Sequence, residues 1–214
     1  MFFSFDGVDG CGKTTQMGLF AEYLRSRGQD VITCRDPGST PLGERVREIV
    51  LEHRTDTPIG ARSEMFLYMA ARAQLVESVI GPALAAGKTV VSDRFLLANV
   101  VYQGYAGGLD VETLWQIGQT ATTGLTPDLI FVLDMAPAEA QRRIARALDR
   151  MERQDQDYRL RLRQGFLTEA KRRAEQIAVI DASGSIAEVQ RRIRAAGDRC
   201  LKLGHPPPNT VQAG

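Results

Sequence analysis

Short apolar runs alternate along the chain with longer segments in which apolar residues recur at helical spacing. Five apolar runs predict β-strands, at Phe2–Asp6, Asp30–Cys34, Thr89–Asp93, Leu129–Asp134 and Ile177–Asp181. The segments between them predict helices, at Lys13–Arg27, Pro41–His53, Ala61–Ala86, Val111–Thr122, Pro137–Leu148, Tyr158–Gln176 and Ile186–Leu203. Several runs are apolar throughout, which is typical of parallel strands covered by helices on both faces. The pattern therefore predicts an α/β fold, a five-stranded parallel sheet flanked by helices.

The distribution of these elements predicts a single domain. The chain has 214 residues, which is enough to bury a core of its own. Neither an internal repeat nor an interdomain linker interrupts residues 1–203. The remaining residues, 204–214, are polar and rich in proline, so we expect a disordered tail there.

Composition narrows the class of protein. Hydrophobic residues make up 43% of the chain and charged residues 25%, as in soluble globular proteins. The formal net charge is +1, so we expect neither nucleic acid nor a membrane as a partner. The cysteines, Cys11, Cys34 and Cys200, are widely spaced, and the N-terminal segment lacks the pattern of a signal peptide. These features predict reduced thiols in a cytoplasmic protein.

Residues 7–14 carry the strongest chemical signal. They read G-V-D-G-C-G-K-T and fit the phosphate-loop pattern G-x-x-x-x-G-K-S/T at every fixed position, between a predicted strand and a predicted helix. Glycines let the backbone wrap around phosphate oxygens, and the helix adds its positive N-terminal end. A chance glycine-rich turn is the alternative, which this setting disfavours. We therefore predict that ATP is bound by Gly7, Val8, Asp9, Gly10, Cys11, Gly12, Lys13, Thr14 and Thr15. Lys13 reaches the terminal phosphates, and the Thr14 hydroxyl binds Mg²⁺.

Polar segments also follow two further predicted strands. The sequence R-D-P-G-S-T at 35–40 comes directly after the second strand, S-D-R at 92–94 ends the third, and Y-Q-G-Y follows at 102–105. In an open parallel sheet, the loops at the carboxyl ends of the strands meet at the ligand crevice. These segments are therefore expected at the same site as the phosphate loop.

Together these motifs resemble the thymidylate kinase family. Residues 5–16 resemble the family's opening, F-E-G-x-D-G-x-G-K-T-T-Q, and 35–40 resemble its R-E-P-G-G-T. Further family signatures are matched, in the family's order, at 70–74, 93–94, 102–104 and, for the lid sequence D-R-x-E, 148–152. The resemblance covers nearly the whole chain and implies the P-loop nucleoside monophosphate kinase fold. It also implies transfer of the γ-phosphoryl group of ATP, with Mg²⁺, to thymidine 5′-monophosphate (dTMP), giving dTDP for dTTP synthesis.

The resemblance implies roles at the phosphate-transfer end of the site. Asp9, Lys13 and Arg94 are expected to be catalytic: Asp9 helps to position the acceptor, and Arg94 binds the acceptor phosphate. Asp93 is expected to hold Mg²⁺ through water. From the residues alone, Asp9 could instead form a turn and Arg94 a surface ion pair with Asp93, and both alternatives stay open.

A second group of residues is implied at the acceptor: Asp9, Arg35, Pro37, Tyr68, Arg72, Arg94, Asn99, Tyr102 and Gln103. Glu64, Tyr68 and Arg72 share one helix face, where the ring can stack on a base and Arg72 can donate to a base carbonyl. On spacing alone, a core aromatic with a salt bridge is the more common arrangement. The family usually has phenylalanine where Tyr68 stands. Tyr102 is expected to crowd the position of a ribose 2′-hydroxyl and so to select deoxynucleotides.

A lid is expected near 142–157. The family supplies its catalytic arginine either from the phosphate loop, at the position of Gly10, or from the lid. Glycine at that position implies the lid arrangement of bacterial members, with Arg146 and Arg150 as candidates. A solvated basic helix is the alternative. Family members are usually homodimers, so a homodimer is expected here.

Two other functions compete with this interpretation. A kinase for a different nucleoside monophosphate would differ only in the base pocket, and a P-loop ATPase switch would lack an acceptor pocket. The chain also departs from the family pattern at Asp6 and Asp36, which replace glutamate, and at Ser39, which replaces glycine. These changes keep charge or small size, so they leave the reaction class intact and bear on acceptor preference.

Overall fold

The computed structural model describes residues 1–51, 59–144 and 155–203. Some predictions fall outside the described residues: the ends of the second and fifth helices at His53 and Leu148, both lid candidates Arg146 and Arg150, and the segment 204–214. Within the described ranges, none of the helices has the length and apolarity needed to span a bilayer.

The described residues contain a five-stranded parallel sheet, as the sequence predicts. Its strands are β1 Phe2–Gly7, β2 Val31–Arg35, β3 Thr89–Asp93, β4 Leu129–Asp134 and β5 Ile177–Asp181, in the order β2-β3-β1-β4-β5. Three strands have the predicted bounds, and the ends of β1 and β2 differ by one residue. The register pairs Phe5 of β1 with Asp93 of β3 and Arg35 of β2 with the same Asp93. The carboxyl ends of β1, β2 and β3 therefore lie side by side at one edge.

Helices cover both faces of the sheet: α1 Lys13–Ser26, α2 Pro41–Leu51, α3 Ala61–Leu75, α4 Gly81–Ala85, α5 Leu96–Asn99, α6 Val111–Ala121, α7 Pro137–Arg142, α8 Gln156–Arg172 and α9 Ile186–Leu203. Two π-helical segments, Val76–Ile80 and Val100–Ala106, follow α3 and α5. The single helix predicted over Ala61–Ala86 is thus interrupted by a π turn. The interruption has a local cause, because Pro82 lacks an N–H and Gly81 donates to the carbonyl of Val76, five residues back.

The helix formed by α5 and the second π-helical segment was not predicted. Leu96, Leu97, Val100 and Val101 are all at most 3% exposed. A helix buried on every side shows no alternation between apolar and polar faces, so periodicity does not reveal it. The predicted Tyr158–Gln176 helix begins two residues earlier, after Asp155 caps it by accepting from the Tyr158 N–H at 2.7 Å.

The core is built around β1, all of whose side chains are buried. On one face, the rings of Phe3 and Phe5 pack with Phe20 of α1 and Phe131 of β4, with Phe5 and Phe131 centroids 4.8 Å apart. On the other face, Phe2 meets Phe95 edge-on at 5.0 Å. This packing holds β1, whose carboxyl end leads into the phosphate loop, from both faces.

Candidate active site

A cavity of about 760 Å³ opens at the carboxyl edge of the sheet. Residues 9–15 line it on one side, and Arg35, Asp36, Asp93 and Arg94 line it at the ends of β2 and β3. Arg143 also lines it, as do Ala182 and Gly184 after β5 and Ile186 at the start of α9, whose carbonyl accepts from Gln16 of α1 at 3.0 Å. The structure thus brings the phosphate loop and the loops after β2 and β3 to one site, as the sequence predicts.

The phosphate loop has the local geometry that its glycines permit. Gly7 and Gly10 have φ angles of +135° and +84°, which residues with a side chain rarely adopt. A Cβ at Gly7 would lie 2.5 Å from the carbonyl oxygen of Leu133. The loop ends at Gly12, and α1 begins at Lys13 with its first turn at the cavity. A helix N-terminus in that position favours an anion such as a phosphate group.

Lys13 is held by the loop that it follows. Its ammonium donates to the carbonyls of Gly7 and Val8 at 3.1 and 3.0 Å and to Asp9 Oδ1 at 3.3 Å. The residue is 8% exposed and lines the cavity. A buried ammonium on a flexible stem is well suited to bind a phosphate as a point charge.

Asp9 joins the phosphate loop to the residues after β3. Its Oδ1 accepts from Arg94 Nη2 at 2.5 Å and its Oδ2 from the Tyr102 hydroxyl at 2.8 Å. Burial raises the pKa of Asp9, but the charges of Arg94 and Lys13 and the Tyr102 hydrogen bond outweigh it and hold the pKa well below its ordinary value. Asp9 is therefore an anion that links two cations and a phenol.

Arg94 occupies a constrained backbone position. Its φ is +66°, and its N–H donates to the Phe5 carbonyl at 2.9 Å while its own carbonyl accepts from Ser92 Oγ at 2.7 Å. Its guanidinium also donates to the carbonyl of Gly7 at 3.2 Å and to Tyr102 Oη at 2.9 Å. The guanidinium forms an ion pair with Asp9, on the phosphate loop, rather than the surface ion pair with Asp93 that was the alternative. The strand end thus aims Arg94 across β1 at the phosphate loop.

Thr14 and Asp93 meet at the cavity wall. Thr14 Oγ1 donates to Asp93 Oδ2 at 3.2 Å, and both residues line the cavity. A hydroxyl and a carboxylate are oxygen ligands of the kind that Mg²⁺ takes. Among the described residues, no three His, Cys, Asp or Glu side chains cluster as a metal site. This donor set therefore fits Mg²⁺ bound mainly through phosphate oxygens and water rather than in an all-protein cage.

Behind the cavity, five buried side chains form one hydrogen-bonded series, which we call the buried relay: Glu64, Gln103, Asn99, Arg72 and Asp36. Gln103 Nε2 donates to Glu64 Oε1 at 2.8 Å, and Asn99 Nδ2 donates to Gln103 Oε1 at 2.5 Å. Arg72 Nη1 donates to Asn99 Oδ1 at 3.0 Å, and its Nε donates to Asp36 Oδ2 at 2.6 Å. None of the five is more than 6% exposed. The structure thus brings Arg72, Asn99 and Gln103 together, and it gives Arg72 a buried ion pair. A contact of Arg72 with a base stays a prediction.

The other expected acceptor residues lie nearby with different surroundings. Tyr68 is half-buried and packs against the small cluster of Val46, Val50 and Ala71. The Arg35 guanidinium donates to Glu44 Oε2 at 2.5 Å and is about half exposed. The Pro37 carbonyl accepts from Arg47 Nη1 at 3.3 Å. Arg35 thus lines the cavity at the end of β2, and Pro37 lies in the loop that follows and contacts Arg47, which also lines it.

Two cavity-lining arginines were not among the predicted site residues, Arg47 of α2 and Arg143 at the end of α7. Burial lowers the pKa of Arg47, and the charges of Arg35 and Arg94 lower it further. Cations that approach each other closely enough to do so mark a site for an anion. The available signal was that Arg47 lies on the helix that directly follows the R-D-P-G-S-T loop. Arg143 lies in an arginine-rich stretch of the sequence, a pattern that is also typical of a solvated helix surface.

Asp6 lies under the site at the end of β1. It is 0% exposed, and neither carboxyl oxygen has a hydrogen-bond partner among the described residues. Burial raises its pKa to about 7 against the opposing charges of Arg94 and Lys13. Cys11, inside the loop, is also buried, and burial raises its thiol pKa, as expected for a side chain that fills space.

Comparisons with known proteins agree with this geometry. A family model described as thymidylate kinase matches residues 5–193. A thymidylate kinase from Rhodopirellula baltica is 46% identical over 190 residues, covering 89% of this chain and 77% of that protein. Another, from Caldanaerobacter subterraneus subsp. tengcongensis, is 42% identical over 202 residues and covers 94% and 96% of the two chains. The crystal structure of thymidylate kinase from Ehrlichia chaffeensis superimposes with a TM-score of 0.75 at 29% identity, covering 92% of this chain and 97% of that one.

Proposed function

The chain belongs to the thymidylate kinase family, and we propose how its own residues perform that family's reaction. The enzyme transfers the γ-phosphoryl group of ATP to dTMP and gives ADP and dTDP. The main support for these residue roles is the hydrogen bonding of Asp9 in the phosphate loop. Asp9 accepts from Lys13 and from two residues that follow β3, Arg94 and Tyr102. Phosphoryl transfer needs two anions held in line with their charge spread over cations, and these hydrogen bonds join the two sides.

The donor is ATP, held by residues 7–15. The start of α1 and the Lys13 ammonium lie at the cavity, which supports their binding of the β- and γ-phosphates. Thr14 and Asp93 would hold Mg²⁺, Thr14 directly and Asp93 through water. When bound, the metal would neutralise charge on the β- and γ-phosphate oxygens. Arg143, which also lines the cavity, is a further cation on the donor side.

The acceptor phosphate is bound by Arg94, with Arg35 at the cavity mouth. Hydrogen bonds to Asp9 and Tyr102 hold the Arg94 guanidinium in place. Because its side chain is already ordered, it loses little conformational entropy when an anion binds. Asp9, held as an anion, orients Arg94 and Tyr102 and helps to position the acceptor. Arg47, whose guanidinium reaches the Pro37 carbonyl, adds positive charge on the same side.

The acceptor base lies against Tyr68 and the buried relay. The Tyr68 ring stacks on the pyrimidine, and Arg72 and Asn99 read its edge while Gln103 supports them. Tyr102, 8% exposed and bonded to Asp9, crowds the space of a ribose 2′-hydroxyl. The lid near 142–157 supplies a catalytic arginine, Arg146 or Arg150, which closes over the transferred phosphoryl group and excludes water.

The enzyme acts as a homodimer in the cytoplasm, with dTMP and ATP as its small-molecule partners. Large apolar side chains exposed on α2 and α3 support self-association: Leu42, Ile49 and Phe66 are 43%, 48% and 57% exposed. Analytical ultracentrifugation tests this state. A Phe66→Asp variant is expected to sediment as a monomer, and a wild type that is monomeric at micromolar concentration contradicts the dimer.

The function is tested by following ADP formation with ATP and Mg²⁺ in the presence of dTMP, dUMP, dCMP, dGMP or UMP. Hydrolysis without an acceptor is the control. We expect a strong preference for dTMP. ADP formation that ignores every acceptor contradicts the kinase assignment, and preference for another monophosphate contradicts the assigned base pocket while leaving the fold and reaction class in place.

A further inference from the structure

The buried relay ties two elements of the acceptor pocket together at two points. Glu64 and Arg72 lie two turns apart on one face of α3, and Asn99 and Gln103 lie one turn apart where α5 passes into the second π-helical segment. Glu64 bonds Gln103, Arg72 bonds Asn99, and the two amides bond each other. The four side chains therefore form a continuous series of three hydrogen bonds that joins the two elements at both of its ends, with Asp36 attached at Arg72.

The two ends of this series, Glu64 and Arg72, have opposite and fixed hydrogen-bonding character. A carboxylate such as Glu64 only accepts, and a guanidinium such as Arg72 only donates. Asn99 must therefore turn its oxygen to Arg72 and its nitrogen to Gln103, and Gln103 must turn its nitrogen to Glu64. Each amide has one orientation that satisfies its neighbours. An amide without such neighbours can turn over at little cost, because its oxygen and nitrogen are alike in size.

The orientation of these amides bears on the choice of base. A pyrimidine with a 4-keto group presents an acceptor at C4 and a donor at N3, whereas one with a 4-amino group presents a donor and an acceptor at the same places. A pocket whose amides are fixed matches one pattern and leaves buried groups unpaired with the other. A pocket whose amides can turn matches both.

We propose that Glu64 is a positioning residue for the acceptor base. It holds Gln103, and through Gln103 also Asn99 and Arg72, in the orientation that distinguishes 4-keto from 4-amino pyrimidine monophosphates. Glu64 acts on the base through Gln103 rather than by direct contact. The inference rests on the proposed function, in which Arg72, Asn99 and Gln103 form the base side of the dTMP pocket.

The test compares Glu64→Met with Glu64→Gln. Methionine keeps the length of the side chain and removes the acceptor, whereas glutamine keeps an oxygen for the Gln103 amide. We expect Glu64→Met to raise the KM for dTMP by about tenfold or more and to lower the ratio of kcat/KM for dTMP over dCMP by a similar factor. The KM for ATP should stay within about threefold, because Glu64 acts through Gln103 on the acceptor side. Glu64→Gln is expected to restore most of the selectivity, and Glu112→Gln, at an exposed carboxylate on α6, serves as the matched surface control.

A charge exchange provides a second test that does not depend on the folding of Glu64→Met. Gln103→Glu places two carboxylates against each other and is expected to lose dTMP selectivity. The double variant Glu64→Gln with Gln103→Glu restores a donor and an acceptor at the same contact, so it should recover at least about half of the lost selectivity on a logarithmic scale.

A double variant no better than Gln103→Glu alone overturns the proposal. So does a Glu64→Met variant with wild-type KM and selectivity, or one that raises both KM values equally. A wild type that leaves dTMP unphosphorylated refutes the proposed function itself, which is a different result.

Discussion

Gly10 of the phosphate loop lies against the carbonyl oxygen of Ala140 in α7, the helix that leads towards the expected lid. A Cβ at Gly10 would lie 2.1 Å from that oxygen and 3.0 Å from Ile144 Cγ1. The position therefore has no room for any side chain, quite apart from its φ of +84°. An arginine supplied by the loop at this position would clash with α7, which supports a catalytic arginine from the lid.

Gly10→Ala is expected to impair the enzyme strongly. The added methyl group must displace either the loop or α7, so we expect kcat/KM for dTMP to fall on the order of 100-fold, with the KM for ATP raised. Gly18→Ala is the matched control, since Gly18 lies within α1 and an added Cβ there meets nothing within 4 Å. Steady-state kinetics of both variants decide the matter, and near-normal activity of Gly10→Ala contradicts close packing of the loop on α7.

The carboxyl edge of the sheet could be predicted because the patterns that mark strand ends and the phosphate loop each lie within a few consecutive residues. Apolar runs that stop at a polar residue give strand ends, and three strands have the predicted bounds. The phosphate loop follows from spacing alone. The buried relay could not be derived in this way, because its hydrogen bonds join Asp36, Arg72 and Asn99, which are far apart in sequence. The family resemblance implied that Arg72 and Asn99 belong at one site, and the fold shows that they are hydrogen-bonded to each other.

Two further features could not be predicted from the sequence, for physical reasons. The helix that carries Asn99 is buried on all sides, so it has no polar face to set a period. Arg47 was missed because a single arginine on an amphipathic helix resembles any solvated charge, and its approach to Arg35 and Arg94 exists only in three dimensions. The lid arginines fall outside the described residues, so their roles stay predictions.

Arg94→Lys is expected to affect the acceptor more than the donor. Arg94 uses separate nitrogens to reach Gly7 and the Asp9–Tyr102 pair, and one ammonium cannot reproduce that fork. We expect kcat/KM for dTMP to fall by about 100-fold or more while the KM for ATP changes by less than about threefold. Arg45→Lys, at an exposed position of α2, is the matched control. Equal losses for both substrates would argue that Arg94 supports the loop rather than the acceptor phosphate.

Asp6 makes a prediction about pH and stability. Its pKa is raised by burial from 3.8 to about 7, so between these values the folded state binds a proton that the unfolded state has lost. The free energy of unfolding contributed by this group therefore falls as pH rises from about 4 to about 7 and stays low above that range. Asp6→Asn removes this dependence, and we expect it to gain stability relative to the wild type by a few kcal/mol on going from pH 4 to pH 8.

Urea unfolding at several pH values measures this difference. Asp157→Asn, at an exposed position in α8, should follow the wild type throughout. A constant difference between Asp6→Asn and the wild type from pH 4 to pH 8 would show that Asp6 has no raised pKa in the folded protein. The comparison uses differences between variants, so the titration of other groups, which they share, cancels.

Substitutions at Tyr68 test whether a tyrosine, where the family usually has phenylalanine, changes the range of acceptors. A phenol and a phenyl ring present the same face for stacking, so Tyr68→Phe should keep kcat/KM for dTMP within about threefold. Tyr68→Ala removes the ring, and with base stacking contributing about 1–3 kcal/mol we expect a loss of about 10- to 100-fold. The same acceptor panel, with the KM for ATP as the internal control, measures both variants. If Tyr68→Phe instead shifts the ratio of dTMP to dCMP use by more than about tenfold, the hydroxyl takes part in reading the base, and the selectivity assigned to Glu64 and the buried relay is shared with Tyr68.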